Sequence, residues 1–276
     1  GEDSTATVLS ASAKPGNANE AARFLTQATF GPTTTDIAHV QSVGFSGWLD
    51  EQFAATPTVT YRAYWDTRDA AKKAVSSTGS AGTNEVNHAF WRGAIAGPDQ
   101  LRQRVAFALS QIFVVSMQDG CGADHTQGVA SYMDMLASNA FGSYRNLLEA
   151  VALHPVMGCY LSHIKNQKED ATTGRVPDEN FAREVMQLFS IGLYQLNTDG
   201  TLKTTSAGKP IETYKPEDIA GMAKVFTGWS WDCPNWPSNN CFKWGTDGSS
   251  TYADKWTRAM RPYAQYHSIS AKSFLG

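Results

Sequence analysis

The chain has 276 residues, of which 42% are hydrophobic and 18% charged, and its formal net charge is −3. This size suits one large domain or two small ones and is enough to bury a core. The slightly acidic balance argues against nucleic acid as a partner, and the sequence has no run of about 18 apolar residues that would span a membrane.

Residues 1–17 are polar and small and carry no helical periodicity. We expect them to form a disordered leader of the kind that begins a mature exported protein. The remaining residues, 18–276, are expected to form one helical domain.

From Glu20 onwards, apolar residues recur at helical spacing between caps, glycines and prolines. No alternating series of strand residues and no internal repeat interrupts this pattern. The predicted fold class is therefore all-α, a single domain of many helices. In chain order the predicted helices are EAARFLTQATF, DIAHVQSV after Thr35, GWLDEQFAA after Ser46, residues 68–75, NEVNHAFWRGAIA, PDQLRQRVAFALSQIFVVS, GVASYMDMLASNAF, SYRNLLEAVAL, PDENFAREVMQLFSIG and PEDIAGMAKVF.

Residues 230–265 break this regularity, because they are rich in Gly, Pro and Trp and show no clear period. We predict a long irregular Trp-rich loop there, with at most a short hairpin. Trp229, Trp231 and Trp236 are candidates for a platform on which a sugar or another flat ligand stacks, since an indole ring offers area and a polar handle. Core packing is the alternative role for these rings.

Four cysteines occur, and their spacing matches neither a CxxC redox motif nor a zinc ribbon. Cys233 and Cys241 bracket CPNWPSNNC, a loop that a disulfide would hold closed. An even number of cysteines, two of them in turn-rich loops, favours two disulfides and an oxidising compartment, so we predict a secreted, periplasmic or cell-surface protein. Free buried thiols are the alternative.

One helix, PDENFAREVMQLFSIG, separates its residues into two faces at about 100° per residue. The apolar face consists of Phe181, Ala182, Val185, Met186, Leu188, Phe189 and Leu193. The polar face consists of Glu179, Asn180, Arg183, Glu184, Gln187 and Ser190. A merely solvated face usually includes lysines, and this one has none. Its residues suit either a buried polar network or a ligand cleft.

If the polar face is catalytic, its carboxylates are the candidates for acid and base. Cleavage of a glycosidic bond requires two such groups, and Glu184 and Glu179 would supply them. Arg183 would orient or neutralise a carboxylate, His267 or His163 would assist proton transfer, and Asn180 and Gln187 would bind substrate. No nucleotide-binding or nucleophile-elbow motif occurs, so we expect no cofactor, and the histidine spacing predicts no metal site.

Several long segments resemble one bacterial family, which is known as domain of unknown function 1800. They are AARFLTQATFGPT, GPDQLRQRVAFALSQIFVVS, AFGSYRNLLEAVALHPVMGCYLSH, PDENFAREVMQLFSIGLYQLNTDGT, DIAGMAKVFTGW and HSISAKSFLG. The resemblance implies an exported helical protein and no particular reaction. Glu179, Asn180, Arg183, Glu184 and Gln187 match the family's most distinctive motif, which favours a functional polar face. The resemblance also implies a further helical region beyond Gly276, either missing from this chain or present as a second, cleaved chain that completes the fold.

The sequence thus predicts an exported enzyme, a hydrolase or lyase that uses carboxylates to cleave a polysaccharide or another extracellular polymer. Two alternatives stay open. One is a non-enzymatic binding or assembly protein of the cell surface, in which the polar face holds helices together. The other is a metal-dependent oxidase or hydrolase that uses Glu184, Glu179 and His267.

Overall fold

A computed structural model describes residues 14–57, 60–118, 120–246, 252 and 254–276. This part of the chain is mainly helical, which confirms the predicted all-α class. Its α-helices are α1 (Ala18–Ala28), α2 (Thr34–Ala54), α3 (Tyr61–Val75), α4 (Thr83–Ala96), α5 (Gln100–Ile112), α6 (Gly120–Ala123), α7 (Thr126–Ser138), α8 (Tyr144–Leu153), α9 (Pro155–Tyr160), α10 (Asn180–Gln187), α11 (Pro216–Ala223) and α12 (Asn239–Trp244). Most of the predicted leader lies outside the described residues. No helix within them has both the length and the apolar character needed to cross a membrane.

The chain divides into two compact units, whereas we expected one domain over residues 18–276. The first unit comprises the residues up to Leu109 together with Leu136–Phe141, and the second comprises Ser110–Met135 and Gly142–Gly276. Both crossings between the units fall inside helices, in α5 and α7. No Gly- or Pro-rich linker therefore marks the boundary in the sequence.

In the first unit, α1 packs against α2 around Leu25, Val40 and Trp48, all of which are buried. Helix α2 begins earlier than predicted because Thr33, rather than Thr35, forms a capping box with Asp36. The two helices predicted on either side of Gly44 join into one element that kinks at this glycine, whose φ of 81° lies in the left-handed region.

The Trp-rich region is more ordered than the irregular loop predicted from its composition. Strand β1 (Trp229–Ser230) pairs antiparallel with β2 (Arg261–Pro262), and α12 lies between them in the chain. The fully buried Tyr263 donates a hydrogen bond from its hydroxyl to the carbonyl of Trp231 at 2.6 Å. The described residues thus form a small core of their own, and residues 247–251 and 253 lie outside the described part.

Two disulfides are present, as predicted. One joins Cys121, in α6, to Cys159, in α9. The other joins Cys233 to Cys241 and closes the loop before α12. Disulfides of this kind are typical of proteins that fold in an oxidising compartment.

Residues 193–213, which follow α10, form a small β-structure that we call the β-junction. Three isolated antiparallel bridges define its arms: Tyr194 with Glu212, Leu196 with Leu202, and Thr204 with Pro210. At the centre the backbone N–H groups donate in a closed cycle, from Gln195 to Ile211 (2.9 Å), from Ile211 to Lys203 (3.0 Å) and from Lys203 to Gln195 (2.8 Å).

Two short hairpins form the outer arms of the β-junction. Each tip ends in a glycine with positive φ, Gly200 at 84° and Gly208 at 75°. Such a residue lets a type I turn close into a hairpin through a bulge. The turn sequences NTDG and TSAG therefore explain a β-structure that strand periodicity did not reveal.

The chain after His267 lies along α11 in the opposite direction to the helix. The backbone N–H of Ser268 donates to Thr227 Oγ1 at 2.8 Å, and that of Leu275 donates to Asp218 Oδ1 at 2.7 Å. Between these contacts the carbonyl of Ser273 lies so close to Gly221 that a Cβ atom there would be 1.9 Å from its oxygen. Only glycine permits this approach.

Candidate functional site

Helix α10 carries the polar face predicted from the sequence, but it is shorter than predicted. Asp178 Oδ1 accepts a hydrogen bond from the backbone N–H of Asn180 at 2.9 Å, which satisfies one free donor of the first turn. The helix ends at Gln187, and Gly192, with a φ of 73°, donates to the carbonyl of Met186 at 2.9 Å. Leu188 and Leu193, expected on the apolar face, lie beyond this end and are about half exposed.

The apolar side of α10 is buried as predicted. Ala182 and Met186 pack against Ile219 and Ala223 of α11. The small side chains of the two alanines let the helices approach closely, so α11 fixes the direction in which the polar face of α10 points.

His163 lies on the buried side of α10 rather than beside the polar residues. Its ring stacks on Phe181, and its Nε2 lies 2.8 Å from the carbonyl of Ala152. A carbonyl oxygen only accepts, so Nε2 carries the proton. Burial lowers the pKa of His163 to about 4, although the hydrogen bond to Ala152 opposes this shift. At neutral pH the residue is therefore an enclosed, neutral packing group.

The segment before α10 is held by one buried amide. Asn166 donates from Nδ2 to the carbonyl of Asp178 at 3.1 Å and accepts at Oδ1 from the N–H of Asp178 at 2.9 Å. Ser162, whose φ of 59° is unusual for a residue other than glycine, donates to Asp178 Oδ1 at 3.2 Å. Asn180 Nδ2 donates to the same serine oxygen at 3.4 Å. These bonds fix the start of the polar face.

Part of the polar face lines a cleft of about 210 Å³. Arg183 and Gln187 form one wall, and Glu212 and Tyr214, at the base of the β-junction, lie opposite. The hydroxyl of Tyr214 donates to Gln187 Oε1 at 3.3 Å. The arginine is also 3.4 Å from Glu179 Oε2, and both of these side chains are nearly half exposed.

The charges around Tyr214 show which groups act on this cleft. Burial raises the pKa of its hydroxyl, Arg183 opposes the rise, and the charges of Glu184 and Glu212 add to it. The phenol therefore stays protonated at neutral pH and can donate a hydrogen bond. Two carboxylates, one guanidinium and one phenol thus act on the same small volume.

Glu184 has the least satisfied side chain of the polar face. The residue is half-buried, and its Oε2 atom is enclosed, yet this atom has no hydrogen-bond partner among the described residues. A buried oxygen without a donor costs about 1–3 kcal/mol, so proteins usually satisfy it. A donor supplied by a ligand would remove this cost.

The family model described as "Protein of unknown function (DUF1800)" matches residues 23–276. The chain belongs to the DUF1800 family. No curated protein and no solved structure matches it. Membership confirms the resemblance seen in the sequence, and because the family's function is unknown, the chemistry of this DUF1800 protein has to be argued from its own residues.

His267 lies on the chain segment that returns along α11. Its Nδ1 donates to the carbonyl of Thr227 at 2.7 Å, which fixes the ring and leaves Nε2 as the acceptor. Gly228 approaches it so closely that a Cβ atom would lie 2.8 Å from the His267 nitrogen. The ring is partly exposed. The predicted role in proton transfer remains a prediction.

The three tryptophans predicted as a platform occupy different environments. Trp231 is only 6% exposed and lies between the ammonium groups of Lys165 and Lys255, 5.2 and 4.8 Å from its ring centroid. Trp229 is partly buried beside it. Trp236 is exposed, and the guanidinium of Arg261 lies 4.1 Å from its ring centroid. The buried Trp231 therefore follows the core-packing alternative, and of the three only Trp236 offers its ring at the surface.

Two residues of the cleft, Glu212 and Tyr214, were absent from the sequence-based candidates. Their signal was weak, because they lie in a polar stretch just before the Pro216 that opens α11. No group of three or more His, Cys, Asp or Glu side chains within the described ranges is arranged to hold a metal ion. The metal-dependent alternative therefore has no ligand set to rest on.

Proposed function

We propose that this protein is an exported enzyme that cleaves a polysaccharide in the cleft between α10, α11 and the β-junction. The observation that carries the proposal is the unpartnered, enclosed Oε2 of Glu184 on a helix face whose neighbouring residues line a cleft with a second carboxylate. A polar site with an unmet requirement for a donor is typical of a site that awaits a ligand.

The cleft offers groups that match a sugar. Hydroxyl groups both donate and accept, and they would meet the donor-only Arg183, the acceptor-only Glu212 and the amide of Gln187. Tyr214 adds an apolar ring and a hydroxyl. The volume of about 210 Å³ suits one sugar ring of a longer chain that continues into solvent.

In the proposed reaction, Glu184 donates a proton to the oxygen that leaves the glycosidic bond. A second carboxylate, Glu212, takes a proton from the water that attacks the anomeric carbon, so that one water is added across the bond. We expected Glu179 in this role, but it pairs with Arg183 and would instead orient that guanidinium. If the substrate contains uronic acid, Arg183 would neutralise its carboxylate and elimination would replace hydrolysis.

Export is part of the proposal. Two disulfides favour an oxidising compartment, and extracellular polysaccharide is found in the surroundings of secreted, periplasmic and cell-surface proteins. The polymer is the proposed partner.

A non-enzymatic assembly protein is the second candidate. It is favoured by the bonds that join Asn166, Ser162, Asp178 and Asn180 at the start of α10, since these groups satisfy one another and tie two segments together. In that case the polar face would stabilise the fold or a binding surface and would not turn over a substrate.

The test is an activity screen with purified protein on neutral and uronate-containing polysaccharides, counting new reducing ends and unsaturated ends. We expect cleavage of at least one polymer and a loss of about 100-fold or more in Glu184→Gln. Glu217→Gln removes an exposed carboxylate from the neighbouring helix α11 and should retain full activity. Cleavage by Glu184→Gln at the full rate, or no cleavage of any polymer, would refute the enzymatic proposal.

A further inference from the structure

The first unit contains a cleft of about 510 Å³ that is separate from the site on α10. Its volume lies within the range of small-molecule sites. Aromatic side chains from two helices line it, Tyr61 and Tyr64 from α3 and Trp91 from α4. The indole of Trp91 is 58% exposed, which is unusual for the largest aromatic side chain on a helix surface. A flat apolar surface is therefore open to a ligand here.

The same cleft contains a buried polar floor. Asp99 is 1% exposed, and its Oδ2 accepts a hydrogen bond from Nε2 of Gln103, itself 8% exposed, at 2.9 Å. Both residues line the cleft. A carboxylate offers about four lone-pair sites, and the bond from Gln103 occupies one. The floor can accept further hydrogen bonds from whatever enters.

A donor stands on the wall. Arg92 lines the cleft from α4, and its guanidinium carbon lies 5.5 Å from the ring centroid of Tyr64. This contact fixes the guanidinium beside an aromatic surface while its N–H groups remain able to donate. The cleft therefore presents one acceptor-only group, Asp99, and one donor-only group, Arg92, around an aromatic wall.

This combination selects the class of ligand. A cation would be repelled by Arg92, and an anion would be repelled by the enclosed carboxylate of Asp99. A neutral ligand with hydroxyl groups meets both, because each hydroxyl donates and accepts. A sugar ring also has an apolar face of C–H groups that stacks on an indole.

We propose that this cleft of the first unit binds a short neutral saccharide, with one ring stacked on Trp91 and its hydroxyls bonded to Asp99 and Arg92. The site lies in a different unit from the α10 cleft and does not depend on the cleavage proposed there. A saccharide held at this position would keep the protein on a glycan surface whether or not the second unit acts on it.

The experiment is a calorimetric titration of the full chain with four probes. Maltotriose and cellotriose are neutral, chitosan trimer is cationic, and trigalacturonate is anionic. We expect at least one neutral trimer to bind, and both charged trimers to bind more weakly. Tighter binding of a charged trimer, or no binding of either neutral one, would overturn the proposal.

Variants locate the binding. Trp91→Ala should weaken binding of the neutral trimer by about tenfold or more, and Arg92→Leu should weaken it as well. Both residues are exposed, so neither change should unfold the protein. Trp244→Ala, which removes a tryptophan that is 64% exposed in the second unit, is the matched control and should bind as the unchanged protein does. Binding that survives Trp91→Ala, or that is lost only in Glu184→Gln, would place the saccharide elsewhere and overturn the assignment.

Discussion

The imidazole of His163 stacks on the phenyl ring of Phe181, with ring centroids 3.8 Å apart and ring planes inclined by 24°. This pair joins the turn after α9 to the buried side of α10, and so it holds the helix that carries the polar face. His163 is 1% exposed, which makes its neutral form part of the core.

Acid should destabilise the protein through this histidine and through His154. Burial lowers their pKa values to about 4 and about 3, from 6.5 in the unfolded chain. Because the folded pKa is depressed, the unfolded chain binds the proton first, so stability is complete above pH 6.5 and falls as the pH falls below it. Between pH 7 and pH 5 each histidine should remove about 2 kcal/mol from the free energy of unfolding.

Urea unfolding of His163→Gln tests this assignment. Glutamine does not titrate, so about half of the loss between pH 7 and pH 5 should disappear, even though the variant is less stable overall. His88→Gln replaces an exposed histidine and should keep the full pH dependence. An unchanged pH dependence in His163→Gln would show that this ring is not the enclosed neutral group described above.

Asn166 should contribute to stability through its two bonds to the backbone of Asp178. Asn166→Ala leaves an N–H and a carbonyl without these partners, and we expect a loss of about 1–3 kcal/mol in the free energy of unfolding. Asn235→Ala, at an exposed loop position, is the control and should change it by less than about 0.5 kcal/mol. Equal stabilities of the two variants would mean that water replaces the Asn166 amide at no cost.

The two disulfides should differ in what they contribute. Cys121 and Cys159 are 38 positions apart, whereas Cys233 and Cys241 are 8 apart. Closing the longer loop restricts the unfolded chain more, so replacing the first pair by serine should cost about 4 kcal/mol and replacing the second about 2.5 kcal/mol. Denaturant unfolding of the two double variants measures the order, and a larger loss from the second pair would contradict this account.

Sequence periodicity predicted the helices well where local signals decide them. The kink at Gly44 and the buried face of α10 follow from a glycine and from apolar spacing that act within a few residues. The end of α10 was placed too late, because Leu188 and Leu193 continue the apolar spacing while the β-junction takes over the chain. The position of His163 depends on contacts with Ala152 and Phe181, which no local pattern encodes.

The candidate site was predictable only in part for the same reason. Arg183 and Gln187 could be assigned to one helix face by angle alone. Tyr214 and Glu212 reach this face from across the β-junction, whose closed cycle of hydrogen bonds depends on three segments meeting. The division into two units was also hidden, since its boundary lies inside continuous helices.

The central claim is that the polar face of α10 is built to hold a ligand rather than to hold the protein together. The free energy of unfolding of Glu184→Gln, measured in urea at pH 7 beside the unchanged protein, tests it without knowledge of the substrate. Because Oε2 of Glu184 is enclosed without a partner, replacing the carboxylate by an amide of the same shape should leave stability equal or higher. A loss of more than about 1 kcal/mol would contradict the claim, since it would show that the carboxylate takes part in a bond on which the fold depends.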